Sequence, residues 1–261
     1  MAVSARFLDS IDPYEYALLS KMSSFDAKQL EALDESEKTI HRIRLEKLEQ
    51  RGWVREQTST ECGIDSDEIH GYYGVALWNR ARKCLVISHR GTCFDKTGNW
   101  IADISIFKQE CPGIIDKALE FSYAAKEKMD ERYSDKFDVI HTGFSLGGFI
   151  AGGCAHLENH HAVTFDSPGI DGCFEQLHLN RAQDRISNYL TSPNFVNTCN
   201  AQVGRVFQIQ KFKKNCIPKV AFTIHLADLN SRQLEFCNAA LTAGTELLST
   251  ALETHNLDSR P

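Results

Sequence analysis

A serine between glycines, a carboxylate after one apolar run and a histidine after another are the residue types that acyl transfer needs. Ser145 stands in Gly143-Phe144-Ser145-Leu146-Gly147, a Gly-x-Ser-x-Gly pattern. A hydroxyl is a weak nucleophile at neutral pH, so it must be held out on a tight turn where an imidazole can take its proton. The flanks give the pattern its weight. An apolar run over Phe137–His141 precedes it, and the small residues Gly147, Gly148, Ala151, Gly152 and Gly153 follow. That order predicts a strand, a sharp turn and a closely packed helix.

Asp166 ends the apolar run Ala162-Val163-Thr164-Phe165, which predicts Ser145 and Asp166 on neighbouring strand ends. A carboxylate there can fix a histidine tautomer and stabilise the imidazolium formed during attack. Asp166-Ser167-Pro168-Gly169 also has the chemistry of a turn, and that reading stays open. The chain order serine, acid, histidine excludes His41, His70, His89 and His141 as the base. Of His178, His225 and His255, only His225 directly follows an apolar run, Val220–Ile224, and precedes a helical stretch. His225 is therefore the expected base. The run Cys84–Ser88 leads into His89-Arg90-Gly91-Thr92, a loop able to aim the Thr92 N–H at a developing oxyanion together with the N–H of Leu146.

These residues need a frame that brings strand ends together. From Tyr72 the pattern alternates, with strands expected at Tyr72–Trp78, Cys84–His89, Phe137–His141, Ala162–Asp166, Ile186–Thr191, Arg205–Gln210 and Val220–Ile224. Helices are expected near 113–132, 146–158 and 229–253. Such alternation predicts an α/β fold, a mostly parallel sheet with helices on both faces. Residues 1–56 read as a helical extension packed on the core, and 57–261 as the α/β domain. Within the extension, Asp34–Arg51 carries Ile40, Ile43, Leu45 and Leu48 among charges and stops at Gly52, a helix expected to pack through those apolar residues.

Across 261 residues, 42% hydrophobic and 25% charged content are those of an ordinary globular chain, and the net charge of -6 argues against a nucleic-acid partner. No apolar run approaches the ~20 residues that span a bilayer. The opening MAVSARFLDSIDPYEY lacks the basic-then-apolar order of a secretory signal, which reads as cytoplasmic. Nine cysteines without a C-x-x-C pair point to free thiols in a reducing compartment. His156 and His160 stand four apart without an H-E-x-x-H pattern, so neither a metal nor another cofactor is expected.

With these tracts in hand the chain resembles the class 3 lipases, a branch of the α/β-hydrolases. His89-Arg90-Gly91-Thr92 is similar to that family's oxyanion segment, and Gly98-Asn99-Trp100-Ile101-Ala102-Asp103-Ile104 to the Asn-Trp tract that follows it. Gly143–Gly148 resembles the elbow, with Phe144 replacing the usual histidine, and Val163–Gly169 parallels the Thr-Phe-Gly-x-Pro segment. The resemblance implies an α/β-hydrolase fold and cleavage of acyl esters, as a lipase, phospholipase or carboxylesterase. It also implies a lid over Thr92–Phe107 whose Trp100, Ile101 and Ile104 meet a lipid surface in transient membrane contact, with Asp103 steadying the oxyanion loop. A fixed amphipathic helix is the other reading of that stripe.

One departure concerns the acid. The family places it after the strand that follows Thr-Phe-Gly-x-Pro, and there this chain reads Asn188-Tyr189-Leu190-Thr191-Ser192-Pro193-Asn194. Either Asp166 has taken the role or Asn194 orients His225. Asp166 is favoured, because an amide orients a histidine without stabilising its charge. Two further readings stay open: a hydrolase-like module that binds without turnover, and an enzyme that transfers the acyl group elsewhere or cleaves a thioester or amide.

Overall fold

Seven strands form one sheet in the computed structural model, which describes residues 11–64, 71–91, 113–133, 136–174, 185–194 and 196–209. The strands are β1 Trp53–Thr58, β2 Gly74–Asn79, β3 Cys84–His89, β4 Asp138–Phe144, β5 His161–Phe165, β6 Ile186–Leu190 and β7 Arg205–Gln208. The helices are α1 Pro13–Ser20, α2 Ala27–Ala32, α3 Glu35–Glu49, α4 Ile114–Arg132 and α5 Leu146–Glu158. Strand order in space follows the chain, β1 to β7. β1, β2 and β3 pair antiparallel, and β3 through β7 run parallel. The α/β architecture expected from the alternation is present.

Every residue of β3 is buried, as befits a strand covered on both faces. Its side chains alternate between two cores. Leu85 and Ile87 join α4 and α5 through Phe121, Phe149 and Ile150, whereas Cys84 and Val86 face α1 through Tyr16, Leu18 and Leu19. Among the described residues, the N-terminal segment thus packs on one face of the sheet. Its first helix starts on the side chain of Asp12 with Pro13 in the first turn. Glu15 of α1 is buried and accepts from the Trp53 indole N–H, with Arg82 Nη1 at 3.2 Å, tying α1 to β1 and to the turn between β2 and β3.

Two expectations need correction. β1 was not among the expected strands. In α3 only Leu48 is fully buried and Leu45 packs at the rim, while Ile40 and Ile43 are over 40% exposed. The helix meets α1 and β1 mainly through its last turns, so its apolar residues do not form the packing face their number suggested. Among the described residues no helix is long and apolar enough to cross a membrane. The expected strand at Val220–Ile224 and helix at 229–253 lie outside the described residues.

Candidate active site

Ser145 sits between the last residue of β4 and the first of α5 with φ 58° and ψ −129°. A non-glycine residue there costs ~1–3 kcal/mol, so its surroundings must impose it. They do so through the backbone. The Ser145 N–H donates to the Phe165 carbonyl at 3.0 Å, and its own carbonyl accepts from the Gly148 N–H at 2.9 Å. Close approach does the rest. A methyl group on Gly143 would stand 2.2 Å from the Gly147 carbonyl, and one on Gly147 would stand 2.2 Å from the His89 carbonyl oxygen. The helix N-terminus is thereby wedged against the ends of β3 and β4.

The other wall is the loop after β3. A methyl on Gly91 would lie 2.9 Å from the Phe144 oxygen and 3.7 Å from Ser145 Cβ, so this loop runs directly beside the serine. Arg90 clamps it. Buried and stacked over Tyr73, Arg90 donates from Nη2 to the Gly71 carbonyl at 2.8 Å and from Nη1 to Gln29 Oε1 at 3.1 Å and Asp26 Oδ2 at 3.4 Å. Leu146 opens α5, where the first N–H groups have no partner within the helix. Phe144, in place of the histidine of the resembled motif, carries the Lys21 ammonium 3.8 Å above its ring. That contact brings the end of α1 to the elbow.

Asp166 is fully buried just past β5, beside the elbow because β4 and β5 are neighbours. Its φ of 44° is a left-handed conformation that aspartate tolerates. Its carboxylate crosses to the end of β6. Oδ1 accepts from the Thr191 N–H at 2.7 Å and Asn197 Nδ2 at 2.9 Å, and the Thr191 hydroxyl reaches both oxygens at 2.9 and 2.8 Å. So the acid group stands at the end of β6, although it is carried by β5. Asn194 is engaged differently. Its Oδ1 accepts from the N–H groups of Val196 and Asn197, both at 3.0 Å, and thus caps the following turn.

The structure therefore brings together Ser145, Leu146, the loop reaching Gly91, and Asp166. Thr92, Trp100, Ile101, Asp103, Ile104 and His225 lie outside the described residues, as do His178 and His255. Sequence reasoning missed Thr191 and Asn197, which hold the carboxylate, and Arg90 as a clamp. An arginine directly before a glycine, at the end of an apolar run, was the available signal.

Beneath the elbow two of the histidines excluded as bases, His89 and His141, form a buried chain with Tyr72 and Glu158. Tyr72 Oη lies 3.0 Å from His89 Nδ1, His89 Nε2 lies 3.0 Å from His141 Nδ1, and His141 Nε2 lies 3.1 Å from Glu158 Oε2. Burial, then the neighbouring His141, pushes His89 well below the ordinary imidazole value. Burial also lowers His141, against the pull of Glu158. Burial alone would raise the Glu158 carboxyl, but hydrogen bonds from His141, His160 and Ser122 outweigh it and hold the group below the usual carboxylate range. Neutral imidazoles beside an ionised carboxylate satisfy each of these directions.

A pH dependence follows from the two lowered imidazoles. The unfolded chain takes up protons on His89 and His141 as pH falls through 6.5 and the folded chain does not, so stability is present above that value and lost below it. The expected loss is up to about 1.4 kcal/mol per pH unit for each histidine. Urea unfolding at pH 7.5, 6.5 and 5.5 in the presence of EDTA checks this, and a flat profile contradicts it.

No protein-family model matches the chain, and no curated protein matches it in sequence. Solved structures do. A point-mutant form of MDLA from Penicillium cyclopium matches over 83% of this chain and 85% of its own, at a TM-score of 0.53 and 13% identity. The triacylglyceride lipase of Rhizomucor miehei matches over 80% of this chain and 82% of its own, at a TM-score of 0.50 and 16% identity. The complex of the Rhizomucor miehei lipase with its propeptide covers 80% of this chain and 69% of that one, again at 0.50 and 16%. The chain has the fold of these fungal lipases. At such identities the likeness is one of architecture, and it agrees with the fold implied by the class 3 lipase motifs.

Proposed function

We propose that the chain is a serine hydrolase that cleaves acyl esters of lipids. The observation that carries the reading is Ser145 held at φ 58° between two glycines that admit no side chain, with the Gly91 loop against it and the Asp166 carboxylate at the adjoining strand end. In this reading Ser145 Oγ attacks the ester carbonyl while His225 takes its proton. Asp166 holds His225 in the attacking tautomer, and the N–H groups of Thr92 and Leu146 receive the oxyanion. His225 then returns the proton to the leaving alcohol, and water releases the acyl group from Ser145. Trp100, Ile101 and Ile104 meet the lipid surface, Asp103 steadies the oxyanion loop, and no cofactor takes part.

A fluorophosphonate probe tests the proposal, because it reacts with serines that are activated rather than merely exposed. Labelling of the native chain that disappears in Ser145→Ala is the expected result. Absence of labelling in folded protein would reassign the chain as a binding module. A series of p-nitrophenyl esters with and without lipid vesicles then separates interfacial lipase activity from that of a soluble esterase, the former rising with chain length and on vesicle addition.

A further inference from the structure

At the far end of α5 from Ser145, about 20 Å along a helix of 13 residues, three side chains from three places in the chain converge. His141 comes from the middle of β4, Glu158 closes α5, and His160 precedes β5. His141 Nε2 and Glu158 Oε2 are 3.1 Å apart, His141 Nε2 and His160 Nδ1 are 3.3 Å apart, and His160 Nδ1 and Glu158 Oε2 are 3.6 Å apart. Ligand atoms held 2.0–2.2 Å from a tetrahedral ion stand about 3.3–3.6 Å from one another. The triangle has the dimensions of a metal tripod. We infer that His141, Glu158 and His160 form a zinc site with its fourth position open to water.

The donor chemistry selects the ion. Two imidazoles and one carboxylate suit a borderline divalent cation, and a hard cation such as magnesium or calcium prefers oxygen throughout. The supports expected around such a site are also present. Ser122 Oγ donates to Glu158 Oε2 at 2.8 Å, and His89 Nε2 meets His141 Nδ1 at 3.0 Å. Outer hydrogen bonds of this kind orient ligands and set imidazole tautomers. With zinc on its Nε2, His141 carries its proton on Nδ1 and donates to His89 Nε2. His89 then donates from Nδ1 to Tyr72 Oη, and both imidazoles stay neutral.

The three donor atoms also converge on one point. One carboxylate oxygen of Glu158 meets the Ser122 hydroxyl and both imidazole nitrogens, which themselves stand 3.3 Å apart. A cation between them would take one lone pair from each of the three. Access is available, since the His160 side chain is 20% exposed whereas those of His141 and Glu158 are 0% and 4%. A second group, His89, His141 and Cys154, also clusters, but all three of its members are buried. Of His156 and His160, the pair four residues apart in the sequence, His160 meets His141 and Glu158. This inference does not depend on the chemistry proposed for Ser145.

The test uses the full chain stripped with EDTA and titrated with zinc, with cobalt as a spectroscopic substitute. The expected result is one zinc per chain, visible cobalt bands of a four-coordinate site, and a thermal midpoint that rises on zinc addition. His160→Ala and Glu158→Gln should each weaken zinc at least about 100-fold, beyond the usual cost of losing an outer-sphere contact. His160 is partly exposed, so His160→Ala should melt as the native chain does in EDTA, which separates lost binding from lost folding. Failure of the native chain to take up zinc would overturn the assignment. So would a His160→Ala variant that keeps it, or binding abolished by Cys154→Ala instead.

Discussion

Asp166→Asn is expected to lower kcat on a p-nitrophenyl ester about 10⁴-fold with little change in thermal midpoint. The small structural effect follows from the hydrogen bonds. The amide oxygen can keep the place of Oδ1 and still accept from the Thr191 N–H and from Asn197, while the amide nitrogen donates to a Thr191 hydroxyl free to rotate. The large functional effect follows from charge and tautomer. On the proposed mechanism an amide N–H facing His225 favours the tautomer that cannot accept the Ser145 proton, and no negative charge remains to stabilise the imidazolium. Asn194→Ala makes the contrast. It removes the acceptor that caps the turn at Val196 and Asn197 and should cost about 1 kcal/mol of stability, with kcat within a few-fold of native. Steady-state kinetics on both variants, with melting curves alongside, decide the matter. A severe rate loss in Asn194→Ala beside an active Asp166→Asn would move the supporting role to the amide.

The contrast between Ser145 and Asp166 shows what sequence order can carry. The pattern that announces the elbow is local, since strand, serine, glycines and helix occupy fewer than ~25 consecutive residues, although only Gly143 is demanded from within the motif, by Gly147, while Gly147 is demanded by the His89 carbonyl across the sheet. The placement of Asp166 beside Ser145 was also legible, because a strand, a helix and a parallel strand leave neighbouring ends. Its partners were not. Thr191 and Asn197 lie 25 and 31 residues further on, and their types alone signal nothing. The same holds for His141, Glu158 and His160, which only the pairing of β4 with β5 and the length of α5 bring together.

Strand ends and edges were the least legible parts of the fold. β1 has exposed Val54 and Arg55 between buried Trp53 and Gln57, so it lacks the continuous apolar run that marks β3. At the edge of the described sheet it pairs with β2 alone among the described strands, and a register shift between Arg55 and Gln57 further breaks its alternation. β4 runs three residues beyond the expected end at His141, because Thr142 and Gly143 stay paired with both β3 and β5, and Phe144 with β5, despite a glycine that reads as a turn. Tertiary pairing outweighs local propensity at such positions.

Close packing at the elbow also sets the second large effect. Gly147→Ala is expected to lower the thermal midpoint by about 6–12 °C and to abolish activity at temperatures where the variant stays folded. Alanine in a helix is intrinsically favoured over glycine by ~1 kcal/mol, so propensity alone predicts stabilisation. Sterics decide otherwise. The added methyl meets the His89 carbonyl oxygen at 2.2 Å and the Arg90 carbonyl carbon at 2.9 Å, and both are backbone atoms at the end of a strand buried on both faces. Overpacking costs about 1–3 kcal/mol where side chains can yield, and here the strand or the helix must move, which places the cost at or above the upper end. At ~2–4 °C per kcal/mol for a chain of this size, that gives the stated shift. Gly152→Ala in the same helix is the control, since its methyl would meet only the Ile170 side chain, at 3.2 Å, and the propensity gain should nearly offset that contact. Any displacement of the α5 N-terminus also carries the Leu146 N–H and Ser145 away from the loop at Gly91, so the rate should fall further than stability alone explains. Differential scanning calorimetry and probe labelling on the two variants give the comparison. Equal melting of Gly147→Ala and Gly152→Ala would mean that the elbow yields where this packing says it cannot.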